Sequence, residues 1–333
     1  MFATATARTL PHPDSAETPV AFAQALGRYR VLREIGSGGM GRVLEAWDPE
    51  LRRSVAIKVL HAHTDDDEAE ERFLAEARVT SQLEHPAIVP VHDIGRTPDG
   101  RLYFAMKYVT GRSLREVLRA LAAGDRETVA AWSRPRLLDT FARVCEAVAY
   151  AHDRGVLHRD LKPDNIMVGA FGEVLVLDWG VARVRAPGAD AEDARAMLVR
   201  TPLTEAGTAV GTPGYMSPEQ AMSRGDVGPT ADVFSLGAVL FELMTGRRAF
   251  RAPSIAALLM AAVSGDLPPF VDHDGEPLPP ALVAVIERAL APHAEDRFAD
   301  ALALADAARE AGYTPARRRS RCGLGFLPAL PRC

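Results

Sequence analysis

The stretch that most constrains this chain is eight residues long: His158-Arg159-Asp160-Leu161-Lys162-Pro163-Asp164-Asn165. Five of the eight are ionisable, yet apolar residues flank them, Val156 and Leu157 before, Ile166 and Met167 after. Drawing that much charge toward an apolar interior is costly unless the groups are paired or put to use. Just upstream, a helix reads as ending near His152-Asp153-Arg154-Gly155, with the glycine as its C-cap. Asp160 can accept the proton of an incoming hydroxyl, and Asn165 can offer an amide oxygen to a magnesium ion. Thirteen residues beyond Asn165, the strand-like run Val174-Leu175-Val176-Leu177 ends at Asp178-Trp179-Gly180. By itself Asp178 reads as a turn residue; beside Asn165 and Asp160 its carboxylate suits a hard cation.

Two features nearer the N-terminus belong to the same chemistry. The run Ile35-Gly36-Ser37-Gly38-Gly39-Met40-Gly41-Arg42-Val43 contains a G-x-G-x-x-G-x-V pattern. Glycine-rich turns are common, so the pattern alone is weak. Val43, Leu44 and Trp47 continue as a strand rather than opening a helix. That favours a strand–turn–strand flap whose backbone N–H groups can approach phosphates. Val55-Ala56-Ile57-Lys58 follows at strand spacing. Lys58 can neutralise phosphate oxygens if a glutamate on the next helix holds it, the arrangement used in phosphoryl transfer. Glu76 is the preferred partner because Phe73, Ala77 and Thr80 mark its side of the helix as the inward one; Glu68, Glu70 and Glu71 compete.

The elements around these motifs change character along the chain. Short strands are expected at 31–35, 41–47, 54–60, 88–94 and 102–109, with one helix near 69–83. Helical periodicity dominates beyond Thr110-Gly111, at 112–121, 136–153, 230–245, 254–264, 280–291 and 298–311. The stretch 232–244 is apolar nearly all round, the mark of a buried helix. The expected fold is therefore α+β and bilobal: a small β-rich lobe (28–108) with one helix, then a larger helical lobe (109–311). Residues 1–27 read as a disordered leader, and 312–333, with Arg317-Arg318-Arg319-Ser320-Arg321, as a basic tail.

In order and spacing these motifs, closed by Ser217-Pro218-Glu219, resemble the eukaryotic-type protein kinases from about Tyr29 to Ala311. The similarity is strongest to the bacterial serine/threonine branch, through Leu83-Glu84-His85-Pro86-Ala87-Ile88-Val89 and Gly211-Thr212-Pro213-Gly214-Tyr215-Met216-Ser217-Pro218-Glu219-Gln220. The resemblance implies transfer of the γ-phosphate of ATP to serine or threonine hydroxyls of proteins. Asp160 would be the base, Lys162 would contact the γ-phosphate, and Asn165 and Asp178 would hold magnesium, with manganese as an alternative. The flap from Ile35 to Gly41 would cover the phosphates, and adenine would lie between Val43, Ala56 and Met167. Met106 would be the gatekeeper, with backbone groups of Lys107 and Val109 on the adenine edge. Relatives usually carry glutamate at position 107 and phenylalanine at 179; only the main chain is needed at the first, and Trp179 keeps a large aromatic at the second. Thr212 would bridge Asp160 and Lys162, Glu219 would pair with Arg297, and Asp232 would cap the back of the charged loop. Arg159 before Asp160 implies switching by phosphorylation in trans between copies of the chain, with Thr204 or Thr208 preferred and Thr201 a third candidate. A pseudokinase scaffold would lack one of Lys58, Asp160, Asn165 and Asp178, and a small-molecule kinase would lack the segment ending in Ser217-Pro218-Glu219.

Bulk properties exclude other classes. A net charge of -5 gives no electrostatic footprint for nucleic acid. Three cysteines in 333 residues, Cys145, Cys322 and Cys333, are no disulfide framework and suit a reducing cytoplasm. The most apolar run, Phe234 to Met244, is too short to cross a bilayer.

Overall fold

The computed structural model describes residues 25–61, 67–179, 183–184, 211–222, 227–251, 254–265 and 267–313. The candidate phosphorylation sites Thr201, Thr204 and Thr208, most of the leader and nearly all of the basic tail lie outside them. The chain forms two compact units. One takes the residues up to 66 together with 91–108, the other 67–90 and everything from 109 on.

The first unit is an antiparallel six-stranded sheet in the order β1-β2-β3-β4-β6-β5. Its strands are β1 (Ala25–Leu26), β2 (Tyr29–Ser37), β3 (Gly41–Asp48), β4 (Arg53–Leu60), β5 (Val91–Arg96) and β6 (Leu102–Lys107). Side chains alternate between faces, so each strand serves two environments. One face carries the core Leu44, Ala46, Val55, Ile57, Val59, Tyr103 and Ala105, closed by Leu26 and Tyr29. Each fully buried Val, Ile or Leu there contributes about 1.5–3 kcal/mol. The sheet starts at Ala25, whose pairing with Arg30 extends order into the last residues of the expected leader.

The second unit begins with helix α1 (Asp67–Gln82). Residues 87–89 then bond to the large helical unit: Val176 N–H donates to Ala87 O at 2.8 Å, and Val89 N–H to Val176 O at 3.3 Å. The expected strand 88–94 is thus split. Pro90 lacks an N–H, and β5 starts one residue after it. Ile88, Leu83 and Val79 join the large core, which is why α1 and its following loop cluster with this unit rather than with the small lobe.

After the short strand β7 (Gly111–Ser113) come α2 (Leu114–Ala122), α3 (Arg126–Ala131), α4 (Arg134–Asp153) and, further along the chain, α5 (Pro218–Ala221). The helix expected from 112 starts at 114 because Ser113 caps it, forming a capping box with Glu116. At the centre lies α6 (Pro229–Thr245), in which every residue from Ala231 to Thr245 is buried. Gly237 lets α6 cross α8 (Pro280–Ala289) closely, since a Cβ there would stand 2.8 Å from Ala289 Cβ. The left-handed Gly246 (φ 68°) ends α6, its N–H bonding Glu242 O. Helices α7 (Ile255–Ser264) and α9 (Ala301–Tyr313) complete the unit.

Candidate active site

The octapeptide follows β8 (Val156–Leu157) and runs into a 3-10 turn (Pro163–Asn165) and β9 (Ile166–Gly169). Strand β9 pairs with β10 (Val174–Val176), Met167 opposite Leu175. The Leu177 N–H bonds Asn165 O at 2.8 Å, so the start of the Asp178 motif is tied to the end of the octapeptide.

Asp232, fully buried in α6, organises the loop from behind. Its Oδ2 accepts from His158 N–H at 2.8 Å and its Oδ1 from Arg159 N–H at 2.8 Å. His152 Nε2 stands 2.8 Å from the same Oδ2. Burial pushes this carboxyl up, but the His152 hydrogen bond and charge and the Arg159 amide outweigh it, leaving Asp232 below its ordinary value. These bonds hold Arg159 in a left-handed conformation (φ 67°), which costs a non-glycine residue about 1–3 kcal/mol. Asp178 is left-handed too (φ 62°). His158 is buried, its Nε2 3.0 Å from Leu177 O and its Nδ1 accepting from Asp160 N–H at 3.3 Å, so the Nε2–H tautomer satisfies both.

Asp160 is held by the segment beyond the loop and by Lys162. Its Oδ1 accepts the Thr212 N–H at 2.7 Å, and its Oδ2 takes Lys162 Nζ at 2.6 Å. Lys162 Nζ also donates to Thr212 Oγ1 at 2.6 Å. Asp160, Lys162 and Thr212 therefore form a closed ring, with Thr212 between the other two. Asn165 Nδ2 donates to Asp160 O at 3.0 Å, which turns Oδ1 into the side chain's remaining acceptor. An amide oxygen and the Asp178 carboxylate are hard donors, too few for an all-protein cage. They fit a divalent cation whose remaining ligands are phosphate oxygens and water.

In the first unit, register places several expected nucleotide residues on one face. Val43 lies opposite Lys58, Lys58 opposite Phe104, and Ala56 opposite Met106. This face is the reverse of the packed core. Lys58 stands over the Phe104 ring at 5.9 Å. Lys107 is exposed, Met106 partly so. The flap turn is closed by Gly38 N–H to Gly41 O at 2.9 Å, and His61 Nε2 lies 2.9 Å from Gly38 O. Gly38 and Gly39 have open space where a Cβ would go, whereas at Gly41 it would meet Val59 O at 2.2 Å. The last glycine is required by the neighbouring strand, a reason the motif does not reveal.

Among the four glutamates considered on α1, Glu76 is the buried one, at 4% exposure. Glu68 instead bonds Arg72 at 3.3 Å. Val109 and Met167 belong to the second unit and are half-buried. Trp179 is buried, its ring 4.6 Å from that of His158, and its Nε1 has no hydrogen-bond partner among the described residues.

Two arrangements support the segment that ends in Ser217-Pro218-Glu219. Arg297 holds Glu219 through two bonds. The other was not foreseen from the sequence. Arg115 on α2 donates to Glu242 on α6 at 2.5 Å, to Tyr215 Oη at 2.5 Å and to Asp164 Oδ2 at 3.1 Å. Tyr215 in turn donates to Glu242. Burial, followed by the Glu242 carboxylate, pushes the Tyr215 hydroxyl up. A lone arginine 100 residues from its partner leaves no local signal, which is why the sequence did not show it.

The fold is that of a bilobal protein kinase. The structure is similar to the crystal structure of the Mycobacterium tuberculosis PknI kinase domain, with TM-score 0.59 and 27% identity over 88% of this chain and 99% of that one. The chain belongs to the protein kinase domain family, whose model matches residues 29–299. Serine/threonine-protein kinase PknA of Mycobacterium tuberculosis is 37% identical over 87% of this chain. Serine/threonine-protein kinase PknD of Protochlamydia amoebophila is 39% identical over 67% of it. The chain spans 63% of the length of that PknA and 23% of that PknD.

Proposed function

We propose that this chain is an ATP-dependent serine/threonine protein kinase that uses magnesium and works in the cytoplasm. The observation that carries the reading is the ring of Asp160, Lys162 and Thr212, with bonds of 2.6–2.7 Å. It holds a carboxylate and an ammonium side by side, pinned by a residue of the segment that leads to the Ser217 cap.

Bound magnesium and ATP supply the transferable phosphoryl group and much of the charge that offsets it. The protein's part is positioning. Asp160 orients the acceptor hydroxyl and takes its proton, while Lys162 places positive charge beside the developing anion. Asn165 and Asp178 are the proposed metal ligands. Lys58 is the proposed partner of the phosphates, under the flap from Ile35 to Gly41, and Glu76 is the residue proposed to orient it. Val43, Ala56, Met106, Lys107, Val109 and Met167 are the proposed adenine contacts. The named activities of the PknA and PknD relatives support the same class.

Switching by autophosphorylation in trans at Thr204, Thr208 or Thr201 is part of the proposal. It is supported by Arg159, an arginine adjacent to the catalytic base. The test is labelled ATP with magnesium and a protein acceptor, comparing wild type with Asp160→Ala and Lys58→Met. Label on serine and threonine in wild type, lost in both variants, is expected. Equal labelling in all three would overturn the assignment. Phosphosite mapping of active protein that found none of the three threonines modified would overturn the switching element alone.

A further inference from the structure

Gln220 follows Glu219 and is 3% exposed, a buried amide outside the Asp160–Lys162–Thr212 ring. Its amide works in two directions. The Oε1 accepts from Ser217 N–H at 3.3 Å and Ser217 Oγ at 3.1 Å, completing the capping box of α5. The Nε2 donates to Arg159 O at 2.8 Å, across 61 residues of sequence.

That carbonyl belongs to the strained residue of the loop. A left-handed arginine persists only where its surroundings enforce it. Asp232 takes the Arg159 N–H from behind at 2.8 Å. Gln220 takes the Arg159 carbonyl at 2.8 Å. Gly211 leaves the space beside it, since a Cβ at that position would stand 3.0 Å from Arg159 O. The peptide so fixed is the one that joins Arg159 to Asp160. Its orientation therefore sets where the Asp160 carboxylate points.

We propose that Gln220 is a positioning residue for phosphoryl transfer, locking the Arg159–Asp160 peptide to the helix that carries Glu219. The inference rests on the kinase reading above and adds to it a residue outside the groups assigned there to nucleotide, metal and proton transfer. It also joins two parts of the site: a shift of α5 reaches Asp160 through one hydrogen bond.

Gln220→Glu separates this role from helix capping. Glutamate keeps the shape and the capping acceptor but, when ionised, loses the donor toward Arg159 O. Gln220→Met removes both. Steady-state phosphorylation of a serine peptide would be measured for these variants, wild type and Asp160→Asn at pH 8, with melting curves for each. The expected result is a fall in kcat of about 10- to 100-fold in both Gln220 variants, as for a misplaced catalytic group. The KM for ATP should stay within about twofold, and Gln220→Glu should melt near wild type. Wild-type kcat in Gln220→Glu, or a loss confined to Gln220→Met, would overturn the inference while leaving the kinase reading intact. If Gln220→Glu fails to fold, wild-type kcat in Gln220→Met overturns it. Wild-type turnover no higher than that of Asp160→Asn would overturn both.

Discussion

Arg297 grips Glu219 with both ends of its guanidinium, Nη1 to Oε1 at 2.7 Å and Nη2 to Oε2 at 2.9 Å. The remaining capacity goes to main-chain carbonyls of Ala291, Thr230 and Pro292, each at 2.8–2.9 Å. The arginine also lies 4.9 Å from the Phe234 ring. A buried arginine so completely satisfied is bound to one geometry. Glu219→Ala removes the only carboxylate bonded to it among the described residues. The expected loss is about 3–5 kcal/mol, measured by urea unfolding. A loss under about 1 kcal/mol would show that the pair behaves as an exposed one.

The same carboxylate makes stability depend on pH. Burial pushes Glu219 up, but the Arg297 hydrogen bond and charge win, and its pKa lies below the ordinary 4.5. Asp232 lies below its ordinary 3.8 by the balance already described. A depressed carboxylate contributes stability that is complete above its unfolded-state pKa and lost as pH falls through the folded-state one. Stability should therefore decline as pH drops below 4.5. Glu219→Gln should flatten that decline in urea midpoints taken from neutral to acid pH. An unchanged slope would remove Glu219 from the explanation.

Thr212 offers its N–H to Asp160 and its hydroxyl to Lys162. Thr212→Ser keeps both and should retain most of kcat. Thr212→Val keeps only the first and leaves the ammonium one acceptor short. A fall in kcat of about tenfold or more is expected, the worth of a hydrogen bond to a charged group. Equal turnover of the two variants would contradict the ring's role.

His61 ties the end of β4 to the flap through Gly38 O at 2.9 Å. His61→Phe keeps a ring but no donor. Its KM for ATP should rise about fivefold with kcat little changed, in line with a net hydrogen bond of about 1 kcal/mol. An unaltered KM in a peptide-phosphorylation assay would show that the flap needs no such tether.

Trp179 brings a buried N–H that phenylalanine would not have, and that N–H has no partner among the described residues. Trp179→Phe gives up apolar area but removes an unsatisfied donor worth about 1–3 kcal/mol. The two effects should nearly cancel, leaving Tm close to wild type. A large drop would mean that ring volume dominates.

The bilobal fold could be read from the sequence because its two halves are written in different periods. Strand alternation in 41–60 and helical spacing in 232–244 both appear in the structure, and Glu76 proved to be the buried glutamate on the face chosen for it. Thr212, Arg297 and Asp232 were named from motif resemblance and are found bonded to the expected partners. What stayed hidden has one physical character. Arg115 with Glu242 and Tyr215, and Gln220 with Arg159, join residues far apart in sequence through ordinary side chains that no local pattern singles out. The misplaced strand at 88–94 failed for a different reason: apolar composition does not say which sheet a residue joins, and Pro90 divides the run between two units.

The contact of Gly41 with Val59 O gives the glycine-rich segment two kinds of glycine. Alanine at 38 or 39 meets nothing, so variation there is free to tune how the flap meets its ligand. Alanine at 41 would wedge β3 away from β4, the strand that carries Lys58. Gly41 is a seam between two strands, and mutating it should register first as lost sheet pairing, before any nucleotide is added.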